Sequence, residues 1–497
     1  MAKIGVIGSG FSGLSAACYL AKQGHDVEVF EKNDSPGGRA RTFTEKGYLF
    51  DMGPSWYWMP DVFEKFFSDF GYCTKDLYDL QLLDPAFTVV YDNNERISIP
   101  ADYASLRNLF ESIEPGSALQ LDHFMQEAKV KYEVGIRDLV YKPCLSMREF
   151  VNRGVLSNIF RLQVFTSFTN HINKYFSNPK LTALMEFPVL FLGAMPSETP
   201  ALYSLMNYAG LKLGTWYPKG GFGKVISSMV KIAEQQGVKF NYGTTVSKIV
   251  VKNNKAQGLV VDEEEYLFDG IVAAADYHHI ESKLLSSEQR NYTEEYWQKK
   301  TFAPSCLIYY VGLNKRIKIN HHTLFFEESL FEHSKEIYKH PQWPSKPLFY
   351  ICCPSQTDAT VAPIGHENLF FLMPIAPGLD DNEATREKYF RIMLARLEKL
   401  TGEEDLAAHI DFKKSYCVSD FINDYNAYNG NAYGLANTLR QTAILKPKII
   451  NKKIKNIVYA GQLTVPGPGV PPALISGNIA AKQMHHYIKS TVHEAII

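Results

Sequence analysis

Three glycines and an acidic residue near the start of the chain have the spacing of a dinucleotide-binding turn. The motif GSGFSG spans residues 8–13, and Glu31 follows Gly13 by 18 residues. The first glycine permits a tight turn, the second lets the backbone approach a pyrophosphate, and the third lets a helix pack closely on a strand. A helix starting there would offer free N–H groups and a positive dipole end to phosphates. Glu31 stands where a carboxylate accepts hydrogen bonds from ribose hydroxyls, which disfavours NADP.

A second glycine motif follows within a few residues. GGRART occupies residues 37–42, and DMGPS occupies residues 51–55. Paired glycines again let the backbone come close to a ligand, and Arg39 can present its guanidinium to a phosphate. In flavoproteins of the amine-oxidase superfamily a similar GGR stretch runs along the diphosphate and the ribityl chain. This resemblance favours FAD over NAD.

A loop rich in glycine and proline near the end of the chain is the third candidate. GQLTVPGPGVPP spans residues 461–472, after a strand pattern and before a helix that contains Ser476, Gly477 and Ala480. Small and rigid residues would let this helix N-terminus approach a flat ring and stabilise charge on it.

These motifs need a strand–helix–strand framework to position them. The pattern predicts a strand over Lys3–Ile7, a helix over Leu14–Gln23 and a second strand over Asp26–Phe30. Apolar residues recur at helical spacing between about 104 and 185, which indicates an inserted helical region. A further α/β segment begins near residue 214, and a last strand covers Ile457–Tyr459.

We therefore predict an α/β fold in which a discontinuous Rossmann-like FAD-binding domain accompanies a mixed-sheet substrate domain and a helical region. The predicted ranges are 1–90, 214–285 and 425–497 for the FAD-binding domain, 91–103 and 286–424 for the substrate-binding domain, and 104–213 for the helical, membrane-facing region.

Composition narrows the class of protein. The net charge is −1, with 52 basic and 53 acidic residues, so no overall field favours nucleic acid. The seven cysteines form no CxxC pair, which argues against a disulfide framework or a zinc site and favours a reducing compartment. We expect no metal. The sequence contains no run of 18 apolar residues and begins without a cleavable signal pattern, so a cytoplasmic location is expected.

The motifs together resemble the bacterial and fungal type of carotenoid desaturase, the phytoene desaturase family of amine-oxidase-like flavoproteins. The resemblance covers nearly the whole chain. It rests on GSGFSGLSAA, EKNDSPGGRART, DMGPS, the mid-chain TWYPKGG, GNAYGLA at residues 430–436 and the final PGPGVPPALISG. The final loop departs from the family pattern, because prolines replace a small residue before the GxP and follow it.

The resemblance implies a set of FAD-contacting residues. Val246 would meet the adenine through its backbone, and the C-terminal loop would lie near the isoalloxazine. The full set is Gly8, Gly10, Phe11, Ser12, Gly13, Glu31, Lys32, Gly38, Arg39, Gly53, Pro54, Ser55, Val246, Gly461, Gly469, Val470 and Pro471.

The resemblance also implies an activity: desaturation of an acyclic C40 polyene, with hydride transfer to flavin N5 and loss of a proton from the neighbouring carbon. Some relatives carry an arginine–acid pair proposed for acid–base work. Arg148-Glu149 matches that pair, but Asn152 stands where a second arginine is expected and Arg153 follows it. Glu149 and Arg153 are therefore the catalytic candidates, with a surface ion pair as the alternative.

A long hydrocarbon substrate calls for an apolar tunnel and for contact with a membrane surface. Candidate walls are residues 56–59, 187–195 and 202–208, with core packing as the alternative. Residues 446–455 hold five lysines among isoleucines, which predicts peripheral contact with anionic lipid, or else a solvated charged face. Quinone or oxygen is the expected electron acceptor.

Two classes of alternative stay open at this point. Within enzymes, a hydroxycarotenoid 3,4-desaturase, a carotene isomerase or a carotenoid oxygenase would share the fold. A binding protein for prenylated GTPases would share it too, but needs no flavin. The intact glycines, Glu31 and GGR stretch argue against that second class.

Overall fold

The computed structural model describes residues 1–150, 162–190 and 193–494. Its strands are β1 Lys3–Ile7, β2 Asp26–Phe30, β3 Thr42–Glu45, β4 Tyr48–Asp51, β5 Leu80–Leu82, β6 Phe87–Val90, β7 Arg96–Ile99, β8 Trp216–Pro218, β9 Lys239–Asn241, β10 Val246–Lys252, β11 Lys255–Val261, β12 Glu264–Leu267, β13 Gly270–Ala273, β14 Ser305–Leu313, β15 His322–Phe325, β16 Phe349–Cys352, β17 Glu367–Ile375, β18 Ile410–Tyr416 and β19 Ile457–Tyr459.

The helices of the described residues are α1 Phe11–Lys22, α2 Pro60–Ser68, α3 Tyr103–Ile113, α4 Ser117–Val134, α5 Phe168–Ile172, α6 Pro179–Leu190, α7 Leu205–Leu211, α8 Phe222–Gln235, α9 Tyr277–His279, α10 Glu294–Gln298, α11 Leu330–Tyr338, α12 Glu383–Thr401, α13 Val418–Tyr425 and α14 Val470–Glu494. Wider helical turns continue α4 over Gly135–Leu139 and α9 over Ile280–Leu284. No helix among these described residues is long and apolar enough to cross a bilayer.

A parallel sheet of five strands forms the framework of the glycine motifs. Its order is β19-β13-β1-β2-β9, so the start, middle and end of the chain meet in one sheet. Four of the five residues of β1 are buried, as expected for a strand covered on both faces. Helices α1, α8 and α14 pack on this sheet. The predicted strands Lys3–Ile7, Asp26–Phe30 and Ile457–Tyr459 are confirmed with the same bounds.

A larger mixed sheet lies beside the parallel one. Its order is β18-β14-β17-β16-β15-β6-β7, antiparallel except for the pair β15 and β6. Alternate residues of β14 enter two different cores: Ile308 and Tyr310 face the helices of the helical region, whereas Tyr309 faces α12. The alternation follows from the two-residue period of a strand.

The helices predicted between 104 and 185 are present as α3 to α6, and they pack against one face of the mixed sheet. The strands of the parallel sheet fall within the ranges predicted for the FAD-binding domain, whereas β6 of the mixed sheet lies just before the boundary at residue 90. The division into three domains stays a proposal.

Candidate active site

The first glycine turn joins β1 to α1. Gly8 has φ of 96°, a left-handed conformation that favours glycine. A Cβ at Gly13 would lie 2.0 Å from the carbonyl oxygen of Gly8, so the third glycine lets the helix sit directly on the turn. Helix α1 begins after Gly10 without a side-chain cap. Its first N–H groups are therefore available to an anionic ligand.

The second glycine motif packs on the first. The Gly37 N–H donates to the Ser9 carbonyl at 2.9 Å, and a Cβ at Gly38 would lie 3.2 Å from the Cα of Gly10. Residues from the two glycine motifs thus form one backbone cradle. Side chains on Gly10 or Gly38 would fill the gap between the two turns.

Arg39 extends from this cradle into a buried position. Its Nη2 donates to the Asn431 carbonyl at 3.2 Å, and its guanidinium lies 5.1 Å from the centre of the Tyr425 ring. Burial lowers the pKa of Arg39, yet a guanidinium stays charged at neutral pH. Its Nε is buried without a hydrogen-bond partner among the described residues. The arginine therefore retains a donor for an anion such as a diphosphate.

Glu31 lies at the wall of the same cavity, only 5% exposed. Its carboxylate accepts from the N–H and hydroxyl of Ser9 at 2.9 and 2.8 Å, and from the N–H and amide of Asn33 at 3.0 and 2.8 Å. These donors hold the carboxylate in a fixed orientation at the cavity wall, where it could accept hydrogen bonds from a ribose without a 2′-phosphate.

The C-terminal loop brings a second helix N-terminus to the cavity. Gly461, Gly467 and Gly469 have φ of 120°, 140° and 110°, and α14 begins at Val470. Helix α14 lies close to α1, because a Cβ at Gly477 would be 2.3 Å from the Ser12 carbonyl. The loop and the first glycine turn therefore face the same space.

One cavity of about 400 Å³ joins all these features. The end lined by the glycine turns, Glu31, Arg39 and Val246 is called the nucleotide end below. Every cofactor residue expected from the sequence except Gly13 lines the cavity: Gly8, Gly10, Phe11, Ser12, Glu31, Lys32, Gly38, Arg39, Gly53, Pro54, Ser55, Val246, Gly461, Gly469, Val470 and Pro471. Gly13 lies beneath the turn, where its role is packing.

The other end of the cavity is built from apolar and aromatic side chains and is called the apolar end. Its walls are Trp56, Trp58, Phe187, Met206, Ile308, Tyr350 and Leu372. The sequence indicated the first four of these as wall segments. Ile308, Tyr350 and Leu372 were missed, because they are alternate residues of the mixed-sheet strands β14, β16 and β17 and carry no local motif.

The structure gives Glu149 a role other than catalysis. Its carboxylate accepts from the backbone N–H groups of Cys144, Leu145 and Ser146 at 2.9, 2.7 and 3.0 Å, and it does not line the cavity. Glu149 thereby stabilises a turn in the loop that precedes it. Arg153, the other catalytic candidate, lies outside the described residues.

The five lysines of the segment 446–455 differ in exposure. Lys446 is only 2% exposed, and burial lowers its pKa to about 7. Lys448 donates to the carbonyls of Cys144 and Ile444 at 3.1 and 3.3 Å. Only Lys452, Lys453 and Lys455 are exposed. Three of the five lysines are therefore free to face lipid, and contact of this segment with a membrane stays a prediction.

The features of the cavity suit a flavin dinucleotide. A backbone cradle without side chains, a buried guanidinium with a free donor and the uncapped N-terminus of α1 suit a diphosphate. The apolar end continues from Pro54 and Ser55 and would receive a flat ring and its reaction partner.

Comparisons with known proteins agree with this geometry. The family described as flavin containing amine oxidoreductase matches residues 11–485. A carotenoid 3,4-desaturase from Haloarcula japonica is 40% identical over 484 residues, covering 96% of this chain and 97% of that protein. A zeta-carotene-forming phytoene desaturase from Myxococcus xanthus is 29% identical, covering 97% and 93%.

The fold is shared by solved structures of low sequence identity. An oxidoreductase from Methanosarcina mazei superposes with a TM-score of 0.62 at 18% identity, covering 97% of this chain and 100% of that one. The sequence likeness to the two desaturases covers 96% and 97% of this chain. This chain therefore belongs to the flavin-containing amine oxidoreductases and, within them, to the carotenoid desaturases.

Proposed function

We propose that this desaturase binds FAD and introduces double bonds into an acyclic C40 polyene. The observation that carries the proposal is the single cavity, in which a cradle for a dinucleotide opens into a chamber of apolar side chains. A polyene without charged groups fits walls of this kind, whereas a charged amine would lack a partner at the apolar end.

When bound, the flavin supplies the hydride acceptor at N5. The chain itself positions the cofactor and the substrate and keeps water out of the cavity. The glycine turns and Arg39 would hold the diphosphate, Glu31 the ribose, and the N-terminus of α14 would face the ring. The tryptophans and Phe187 exclude water, so a substrate carbon held near the ring meets no competing solvent.

A second candidate is 3,4-desaturation of a hydroxylated carotenoid. The observation that favours it is the identity of 40% with the Haloarcula japonica carotenoid 3,4-desaturase, against 29% with the Myxococcus xanthus phytoene desaturase. Both candidates use the same flavin chemistry and differ in the substrate that the apolar end admits.

An anaerobic assay separates these candidates. The purified flavoprotein is mixed with phytoene or with a hydroxycarotenoid, and absorption reports flavin bleaching and the longer conjugation of the product. Bleaching by phytoene supports the first candidate, and bleaching by the hydroxycarotenoid alone supports the second. Lack of bleaching by either would refute both. Addition of a quinone or of oxygen then shows which one restores the oxidised flavin.

We also propose peripheral contact with the cytoplasmic membrane surface, since the substrate resides in a bilayer. Leu145, Met147 and Leu445 are 40%, 61% and 50% exposed. Lys448 links the loop of Leu145 to the loop of Leu445, because its Nζ donates to the carbonyls of Leu145 and Ile444. An exposed apolar group beside cationic side chains suits an anionic bilayer.

Liposome flotation tests this contact at low salt. The protein should float with anionic vesicles, and a variant with Leu145→Ser and Met147→Ser should float less. A matched variant, Phe331→Ser, removes an exposed apolar side chain elsewhere and should float like the original protein. Equal flotation of all three would remove this patch from the proposal.

A further inference from the structure

Desaturation releases a proton as well as a hydride, so the apolar end needs a proton acceptor. The carboxylates that line the cavity in the described part of the chain are Glu31, Asp276 and Asp424, all at the nucleotide end near Asn33, Arg39 and Arg41. Cys306 lines the apolar end, but burial raises the pKa of its thiol, which stays protonated. Tyr350 is a wall residue with a different environment.

The hydroxyl of Tyr350 sits between two polar groups. Its Oη lies 2.5 Å from Nδ1 of His322 and donates to Oγ of Ser55 at 3.0 Å. The pairing of β15 with β16 sets Leu324 opposite Tyr350 and His322 opposite Cys352, so His322 and Tyr350 are diagonal neighbours on one face of the sheet. Ser55 ends the DMGPS stretch that follows the second glycine motif, and it also lines the cavity.

His322 is a buried base that is neutral at rest. It is 0% exposed, and burial holds the pKa of its imidazole well below the usual range, so the ring is neutral at rest. Trp56 stacks on it with ring centres 4.2 Å apart and planes 8° apart. An indole face stabilises a cation above it. For Nδ1 to accept a proton, the ring's own proton must lie on Nε2, which is buried and has no hydrogen-bond partner within the described residues.

We propose that Tyr350 and His322 together accept the proton that the substrate loses, an inference that rests on the proposed desaturase function. The bound flavin would supply the acceptor for a hydride, with its two electrons, from one substrate carbon. The neighbouring C–H bond gives its proton to Oη of Tyr350, whose own proton turns from Oγ of Ser55 and passes to Nδ1 of His322. The electrons of that C–H bond form the second bond between the two carbons. The substrate thus loses two electrons and two hydrogens, and His322 becomes an imidazolium.

A weak base is sufficient for this step. Removal of the hydride leaves positive charge on the substrate, which makes the adjacent C–H strongly acidic. The neutral imidazole behind Tyr350 then needs only the right position. Tyr350 touches the substrate chamber and is the catalytic residue, whereas His322 acts through it.

The test measures anaerobic reduction of the bound flavin by a substrate that the original enzyme oxidises. Tyr350→Phe removes the hydroxyl, and His322→Asn keeps a hydrogen-bonding group near Nδ1 but removes the base. Both should slow flavin reduction about 100-fold, within the range of general-base effects. Tyr309→Phe is the matched control, because it removes a buried hydroxyl on the opposite face of the same sheet.

Binding measurements distinguish chemistry from misplacement. The dissociation constant of the product polyene and the flavin spectrum should be unchanged in Tyr350→Phe and His322→Asn. Flavin reduction at the original rate in either variant would overturn the inference while leaving the proposed function intact. Weakened product binding that accounts for the whole loss of rate would also overturn it. An original enzyme whose flavin no carotenoid reduces would refute the proposed function itself.

Discussion

At the nucleotide end of the cavity the chain offers a ligand mostly backbone groups, whereas at the apolar end it offers side chains. The two glycine turns are local in sequence, and neighbouring backbone atoms close the Cβ positions of Gly8, Gly13, Gly37 and Gly38. The apolar end combines Trp56, Phe187, Ile308, Tyr350 and Leu372 from five separate segments. Backbone recognition tolerates almost no substitution, while a chamber of side chains can be reshaped without loss of the fold.

The strongest test of this comparison is Gly13→Ala. The added Cβ would lie 2.0 Å from the Gly8 carbonyl, so α1 must move away from β1. We expect the free energy of unfolding to fall by about 3 kcal/mol, at the upper range of overpacking. Thermal unfolding of the flavin-free protein measures this loss. A variant as stable as the original would show that the turn can shift to make room for the added methyl group.

Gly10→Ala should weaken flavin binding without weakening the fold. Gly10 has φ of −70°, and the nearest atom to an added Cβ is 4.0 Å away, so the protein itself has room for alanine. The methyl group would instead occupy the space that a diphosphate approaches. We expect about 100-fold weaker flavin binding, or about 2.7 kcal/mol. Flavin titration of the apoprotein measures it, and an unchanged affinity would contradict the cradle.

Lys446→Met should stabilise the protein near neutral pH. Burial lowers the pKa of Lys446 to about 7, whereas in the unfolded chain it titrates near its ordinary value. As the pH falls from 10 to 7, the unfolded chain binds a proton that the folded chain does not, so stability decreases by up to about 1.4 kcal/mol per pH unit. Denaturant unfolding at pH 7, 8 and 9 should show this slope in the original protein and lose it in the variant. The matched substitution at exposed Lys452 should leave the slope unchanged.

At the apolar end, Met206→Trp should reduce turnover but not flavin content. Met206 is half-buried at the cavity wall, and a larger ring there narrows the chamber. We expect about tenfold slower polyene oxidation, equivalent to about 1.4 kcal/mol in the barrier. Flavin absorbance per protein is the control. Loss of flavin in this variant would mean that the two ends are not separable.

Glu149→Gln should have the smallest effect. Its carboxylate is occupied by three backbone N–H groups outside the cavity, so turnover should equal that of the original enzyme. Steady-state kinetics, with the substrate that the anaerobic assay identifies, provide the measurement. A marked loss of turnover with unchanged thermal stability would return Glu149 to the list of catalytic candidates.

The sequence alone determined the nucleotide end, because its function depends on glycines at fixed local spacing and on Glu31, and such spacing is readable without a fold. It also predicted the bounds of β1, β2 and β19, whose apolar runs lie between clear turn signals. The sequence indicated some wall segments of the apolar end, but only the tertiary structure joined them and added Ile308, Tyr350 and Leu372. Tyr350 and His322 meet only because β15 pairs with β16 in one register, and Lys446 is buried only because the C-terminal loop folds over it. Side-chain chambers depend on contacts between distant segments, which local patterns do not encode.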